Sequence, residues 1–163
     1  IFAIDDSCGK VNWSVLSRNK KSWRGMAASS EALYVSVQKE STEKAYGVAE
    51  MVALDRKSGS RLWTIKFENR KYSSVELGNP IIAGGEIYVG ELQKRMNRSD
   101  TASVNVIRVD TPEGTPIPGQ AFEREMSRTI EISKEPMYLS PPSVAAGKDT
   151  IYALVGGVIT AIR

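Results

Sequence analysis

The sequence has no histidine and a single cysteine, Cys8. The first absence removes imidazole general bases, histidine metal ligands and every Ser-His or Cys-His pair from the available chemistry. The second excludes an intrachain disulfide and a thiolate metal cluster, leaving Cys8 as a small residue in a tight turn. No apolar run approaches the roughly 18 residues of a spanning helix, so no transmembrane segment is expected. Charge of one sign is also scarce: 22 Lys and Arg face 19 Asp and Glu, a net +3. That excess is too small to point to nucleic acid. Helical periodicity is missing as well, since no stretch keeps apolar residues convincingly at the i, i+3, i+4 spacing. With 41% apolar and 25% charged residues among 163, the composition is that of an ordinary folded domain with a core of its own. There is no visible signal segment and no initiating Met, because Ile1-Phe2-Ala3-Ile4 already reads as a strand. The expectation is a mature or trimmed piece that begins inside a repeat.

What the chain does contain is a repetition. Ala53-Leu54-Asp55-Arg56-Lys57-Ser58-Gly59-Ser60-Arg61-Leu62-Trp63 shares its skeleton with Ala3-Ile4-Asp5-Asp6-Ser7-Cys8-Gly9-Lys10-Val11-Asn12-Trp13. Both copies put Ala, Asp, Gly and Trp at the same offsets and lead into alternating apolar residues: Trp13 and Val15 in one, Trp63, Ile65 and Phe67 in the other. A third copy keeps only Asp110 and Gly114, and a fourth is cut off after Ala161. Tyr34, Tyr88 and Tyr152 align three preceding strands, and Ala3, Ala53, Arg108 and Ala161 align four that follow. Gly84-Gly85 reads as a hairpin turn. Leu16 to Trp23, Glu68 to Glu76 and Gln93 to Thr101 read as polar connections. Phe122 stands in for the missing third tryptophan, and Glu123 to Pro136 reads as a short strand or an irregular connection.

A unit of roughly 40 to 50 residues built from short strands predicts an all-β chain, a partial β-propeller of four-stranded antiparallel blades. Residues 1–163 would form a single partial propeller domain with blade pieces at about 1–15, 24–67, 77–122 and 139–163, about three and a half blades. Each motif residue has a mechanical role. Asp5 and Asp55 accept a backbone N–H two residues on and fix the turn. Gly9 and Gly59 supply the positive φ that closes it. Trp13 and Trp63 cover the gap to an adjacent blade, and the small Ala leaves room for a ring.

The pattern Ala-x-Asp-x-x-x-Gly-x-x-x-Trp, complete at 3–13 and 53–63, resembles the tryptophan-docking repeat of pyrroloquinoline-quinone-type propellers. The Pro80-to-Val89 stretch resembles the strand pair that precedes it in that family. The resemblance implies a propeller fold and an exported, for instance periplasmic, setting. It leaves the function open, because the repeat serves quinone-dependent dehydrogenases, the propeller lipoprotein of the outer-membrane barrel assembly machine and luminal stress-sensing domains. In the enzymes, pyrroloquinoline quinone and calcium sit on the propeller axis. No residue of this chain matches their calcium ligands or catalytic Asp individually, and a complete ring needs about eight blades. The expectation is therefore a non-enzymatic scaffold without cofactor that mediates protein interaction or assembly. The alternatives are a dehydrogenase fragment using the quinone with calcium, or a luminal or extracellular sensor. Strand alternation places Arg18, Lys20, Lys21 and Arg24 at one end of the blades with Arg70, Lys71, Lys94, Arg95 and Arg98, diluted by Glu68, Glu76, Glu91 and Asp100. Such an end would attract an acidic protein partner. Unpaired terminal edges imply that further blades come from the rest of the polypeptide or from a second copy, a homo-oligomer.

Overall fold

The computed structural model describes residues 1–16, 21–39, 48–67, 72–95, 102–109, 126–132, 140–148, 150–155 and 157–162. Every regular element among them is a β-strand, and all pairings are antiparallel. The first sheet pairs β1 (Phe2–Ile4) with β2 (Val11–Ser14). The second runs in chain order through β3 (Lys21–Ala28), β4 (Ala32–Lys39), β5 (Ala49–Asp55) and β6 (Arg61–Phe67).

The third sheet contains β7 (Tyr72–Leu77), β8 (Ile81–Ala83), β9 (Glu86–Arg95), β10 (Ala102–Val109) and β11 (Met126–Ile132). Here β7 and β8 lie end to end along the long β9, which pairs on its other side with β10 and through it with β11. The fourth sheet is β12 (Ser143–Ala146), β13 (Ile151–Val155) and β14 (Val158–Ile162).

The register repeats from sheet to sheet. Tyr34 stands opposite Ala53, Tyr88 opposite Arg108 and Tyr152 opposite Ala161. Ala3 stands opposite Trp13 and Ala53 opposite Trp63, and both pairs are followed by the same one-residue irregularity.

Sheets pack face on face. Odd-numbered residues of β5 (Ala49, Met51, Ala53) join Trp63 and Phe67 against Val75, Leu77, Ile87, Val89, Ile107 and Val109 of the third sheet. Even-numbered Val52 and Leu54 join Val35 and Val37, with Ile1 and Val15 of the first sheet packed on them. All six residues from Ala49 to Leu54 are therefore buried, because the second sheet is covered on both faces. Each such aliphatic side chain is worth about 1.5–3 kcal/mol of burial. The fourth sheet meets the third where Gly90 lacks a side chain: a Cβ there would fall 2.1 Å from the Pro142 carbonyl oxygen. Among the described residues the outward faces of the two terminal sheets remain exposed, at Phe2 and Ile4 on one and at Tyr152, Leu154 and Ile159 on the other.

Three expectations need correction. The stretch 68–76 is not all connection, since β7 begins at Tyr72; among its described side chains Val75 and Leu77 face the core, and they alternate with the polar Ser74 and Glu76 over too short a run to stand out. Strands also reach into the other two expected connections, β3 beginning at Lys21 and β9 running to Arg95. The stretch 123–136, expected to hold a short strand or an irregular connection, contains β11 (Met126–Ile132), which pairs with β10, so the third sheet extends past residue 122. Asp110, Gly114 and Phe122 lie outside the described residues.

Candidate functional site

Two equivalent turns carry the repeated motif. In each, the Gly N–H donates to the Asp carbonyl at 2.8 Å, and the Asp N–H donates across the hairpin, to Lys10 in one and Ser60 in the other. Asp5 Oδ1 accepts from the Ser7 N–H at 2.9 Å and from its hydroxyl. Asp55 Oδ1 accepts from the Lys57 N–H at 3.1 Å, and from the Ser58 N–H and hydroxyl at 2.7 Å each. These donors favour the ionised carboxylate and hold both carboxyls below their ordinary value, led by the Ser7 side chain at Asp5 and the Ser58 side chain at Asp55. Gly9 and Gly59 close the turns at φ +70° and +71°, in the left-handed region that glycine enters without strain.

The second turn receives a ring. Trp13 of the first sheet lies against Gly59 so closely that a Cβ there would meet its Cε3 at 2.6 Å and its Cδ2 at 2.7 Å. Its indole N–H donates to the Arg56 carbonyl at 2.9 Å. Arg56 in turn ties this hairpin to the neighbouring one: its N–H donates to Glu31 O at 2.9 Å and its guanidinium to Ser29 O at 3.1 Å. Sequence reasoning passed over Arg56 because it acts at the clamp through its carbonyl, which no residue type advertises. Trp63 is buried to 9% exposure, with its ring centroid 5.8 Å from that of Tyr34.

Of the basic residues expected at one end, Arg18, Lys20, Arg70, Lys71 and Arg98 lie outside the described residues. Lys21 opens β3, and Lys94 and Arg95 close β9. The strand ends bearing Lys21 and Lys94 are brought together where the Gln38 side chain donates to Val75 O at 3.0 Å. The charges there are matched, however. Lys21 bonds the buried Glu50, and Lys94 pairs with Glu76 at 2.8 Å. Arg24, further along β3, is exposed.

Glu91 is no surface diluent of this end. It is fully buried and accepts from Gln93 Nε2 at 2.8 Å and Asn105 Nδ2 at 2.7 Å. Its spacing from Ile87 and Val89, on the inward face of β9, was the signal available in the sequence. Cys8 is exposed. Among the described residues, no three His, Cys, Asp or Glu side chains are grouped to hold a metal ion, and no helix is long and apolar enough to cross a membrane.

No protein-family model, curated protein or solved structure matches the chain.

Proposed function

We propose that the chain is a segment of a β-propeller-type scaffold in which indole clamps join successive four-stranded blades, and that it serves protein interaction or assembly without catalysis. The observation that carries this reading is the seating of Trp13 on Gly59 and the Arg56 carbonyl. It gives the repeated motif a purely mechanical use between face-packed antiparallel sheets. A periplasmic or otherwise exported setting belongs to the same proposal, through the motif's resemblance, as does completion of the propeller by further blades. The partner would bind at the end where connections between sheets emerge, and exposed Arg24 supports this placement. Ion pairing at Lys21 and Lys94 favours a partner held by shape and hydrogen bonds over one held by net charge.

A photo-crosslinking amino acid at position 24 of the full chain, expressed in its source cells, tests the reading. One crosslinked protein, lost when Arg24→Glu is introduced beside an adjacent probe, is the expected result. Saturable binding of pyrroloquinoline quinone with calcium, accompanied by oxidation of an alcohol or sugar, would overturn it.

A further inference from the structure

The second sheet has an edge that no described strand covers. β6 closes the order β3-β4-β5-β6 and, among the described residues, pairs only with β5. From Trp63 to Phe67 its register against Ala49 to Ala53 is unbroken; the one irregularity comes earlier, where Leu62 is the extra residue between the Ala53–Trp63 and Leu54–Arg61 pairings. This regular stretch therefore turns a row of N–H and C=O groups away from the sheet. The side chains beside it are basic. Arg61 and Lys66 are exposed, as are Arg56 and Lys57 in the adjoining turn. The acids of the same sheet are occupied or distant. Glu50 stands opposite Lys66 but is buried and bonded to Lys21. Asp55 is held by the Lys57 and Ser58 donors of its own turn, and Glu31 lies between β3 and β4, at the other side of the sheet. No ion pair among the described residues involves Arg61 or Lys66.

We infer that β6 takes up an acidic, extended segment of a partner protein as a further strand of the second sheet. Main-chain hydrogen bonds to the stretch Trp63 to Phe67 would supply the attachment, and alternate side chains the selectivity. Residues opposite one another share a face, so Arg61, Thr64 and Lys66 lie with Leu54, Val52 and Glu50, while Trp63, Ile65 and Phe67 pack on the side of the third sheet. An added strand of period two would therefore set carboxylates on the first face, within cross-strand reach of the two cations, and apolar residues on the second. The same cations disfavour a like edge, because a second copy would bring its own Arg61 and Lys66 alongside. Charge thus selects the occupant. The inference shares protein interaction with the scaffold reading, but it needs only the second sheet and uses the edge opposite β3, the strand that carries Arg24.

The probe is a capped peptide alternating valine and glutamate, titrated into the isotope-labelled full chain and followed by amide NMR. Saturable shifts at Thr64, Ile65 and Lys66 are expected, with affinity falling as salt rises. Arg61→Gln with Lys66→Gln should weaken binding about tenfold or more, while an unchanged circular-dichroism spectrum establishes that the sheet survives. Alternate residues of an added antiparallel strand turn their main-chain groups inward. N-methylation of the glutamates or of the valines, one set only, should therefore abolish binding. Absence of saturable shifts, equal binding of a valine-lysine peptide, or tolerance of both N-methylated peptides overturns the inference. So do shifts along Trp63 to Phe67 that grow with chain concentration in the absence of peptide, which would make a second copy the occupant. Because Arg24 crosslinking reads the other edge, either proposal can fail while the other stands.

Discussion

Gly59 and Gly9 provide an internal control for the energy of the indole clamp. Both have φ near +70°, so replacing either with alanine imposes the same left-handed backbone strain, about 1–2 kcal/mol. Only at Gly59 does the new Cβ collide with something, the Trp13 ring at 2.6 Å. One face of the indole is seated there, so roughly half of its area, about 75–125 Å², is removed from water. At about 25 cal/mol per Å² this is worth ~2–3 kcal/mol, and the bond to the Arg56 carbonyl adds about 0.5–1.5 kcal/mol. Displacing the ring forfeits much of that sum. Gly59→Ala should therefore cost about 3–5 kcal/mol by urea denaturation and Gly9→Ala about 1–2, with equal m-values. In a Trp13→Ala background the Gly59→Ala cost should fall to that of Gly9→Ala, giving a coupling energy of about 2 kcal/mol in the double-mutant cycle. Equal costs in the wild-type background, or no coupling, would refute the assignment of Trp13 as the clamp.

The motif aspartates should make stability sensitive to acid. Each has a depressed folded-state pKa, so its contribution is present above the ordinary carboxylate value and is lost as pH falls through the lower folded value. Below about pH 4 stability should decline, and Asp55→Asn should flatten that slope while lowering stability at neutral pH, as read from urea midpoints across pH. Lys21→Met removes the partner of Glu50, which is 4% exposed; discounting for the lysine's partial exposure, the loss should be about 1–3 kcal/mol. Adding Glu50→Leu should recover most of it, and a pair that stays as unstable as Lys21→Met alone contradicts the reasoning. Asn105→Ala strips a donor from the buried Glu91 and should cost about 2–3 kcal/mol. The Glu91→Leu, Asn105→Leu pair should cost less, measured by thermal unfolding.

The sequence made strand identity legible wherever alternation and turn chemistry coincided. Leu33, Val35 and Val37 on one face and Tyr34 on the other came from period two alone, and the structure packs them on opposite sides of the second sheet. Aligning the repeats put Tyr34 and Tyr152, and Ala53 and Ala161, at equivalent places, and the structure sets Tyr34 opposite Ala53 and Tyr152 opposite Ala161; the fixed Asp-to-Gly spacing sets the other register, Ala3 opposite Trp13 and Ala53 opposite Trp63. Where apolar residues were sparse, as in β7, no local pattern marked the strand. At the candidate sites the aromatic half of the clamp was legible because only tryptophan offers such a ring. Its other half is backbone, Gly59 and the Arg56 carbonyl, and is identified only by what lies against it. At the basic end composition counts charges, whereas the fold matches Lys21 with Glu50 and Lys94 with Glu76, pairings between strands that no local pattern announces.

The buried polar pairs have a common address. Glu50 lies opposite Val37 in the second sheet, and Asn105 lies opposite Glu91 in the third, and the repeat makes these the same position. Both sit on the face turned toward the preceding sheet, with Val52 and Leu54 in one case and Ile87 and Val89 in the other. Their effect follows from what surrounds them. A strand covered on one face has its register fixed by hydrophobicity, because a one-residue slip turns its apolar side chains to water. For β5, and for the Ile87-to-Gln93 part of β9 where buried residues point both ways, the same slip exchanges one apolar neighbour for another and costs much less. It would, however, carry Glu91 away from Asn105 and Glu50 away from Lys21, leaving a carboxylate buried without its donor, at several kcal/mol. The polar pairs thus supply the register information that apolar faces cannot provide in a sheet buried on both sides, and in the second sheet the Asp55-to-Gly59 turn supplies it again from the opposite end of the strand.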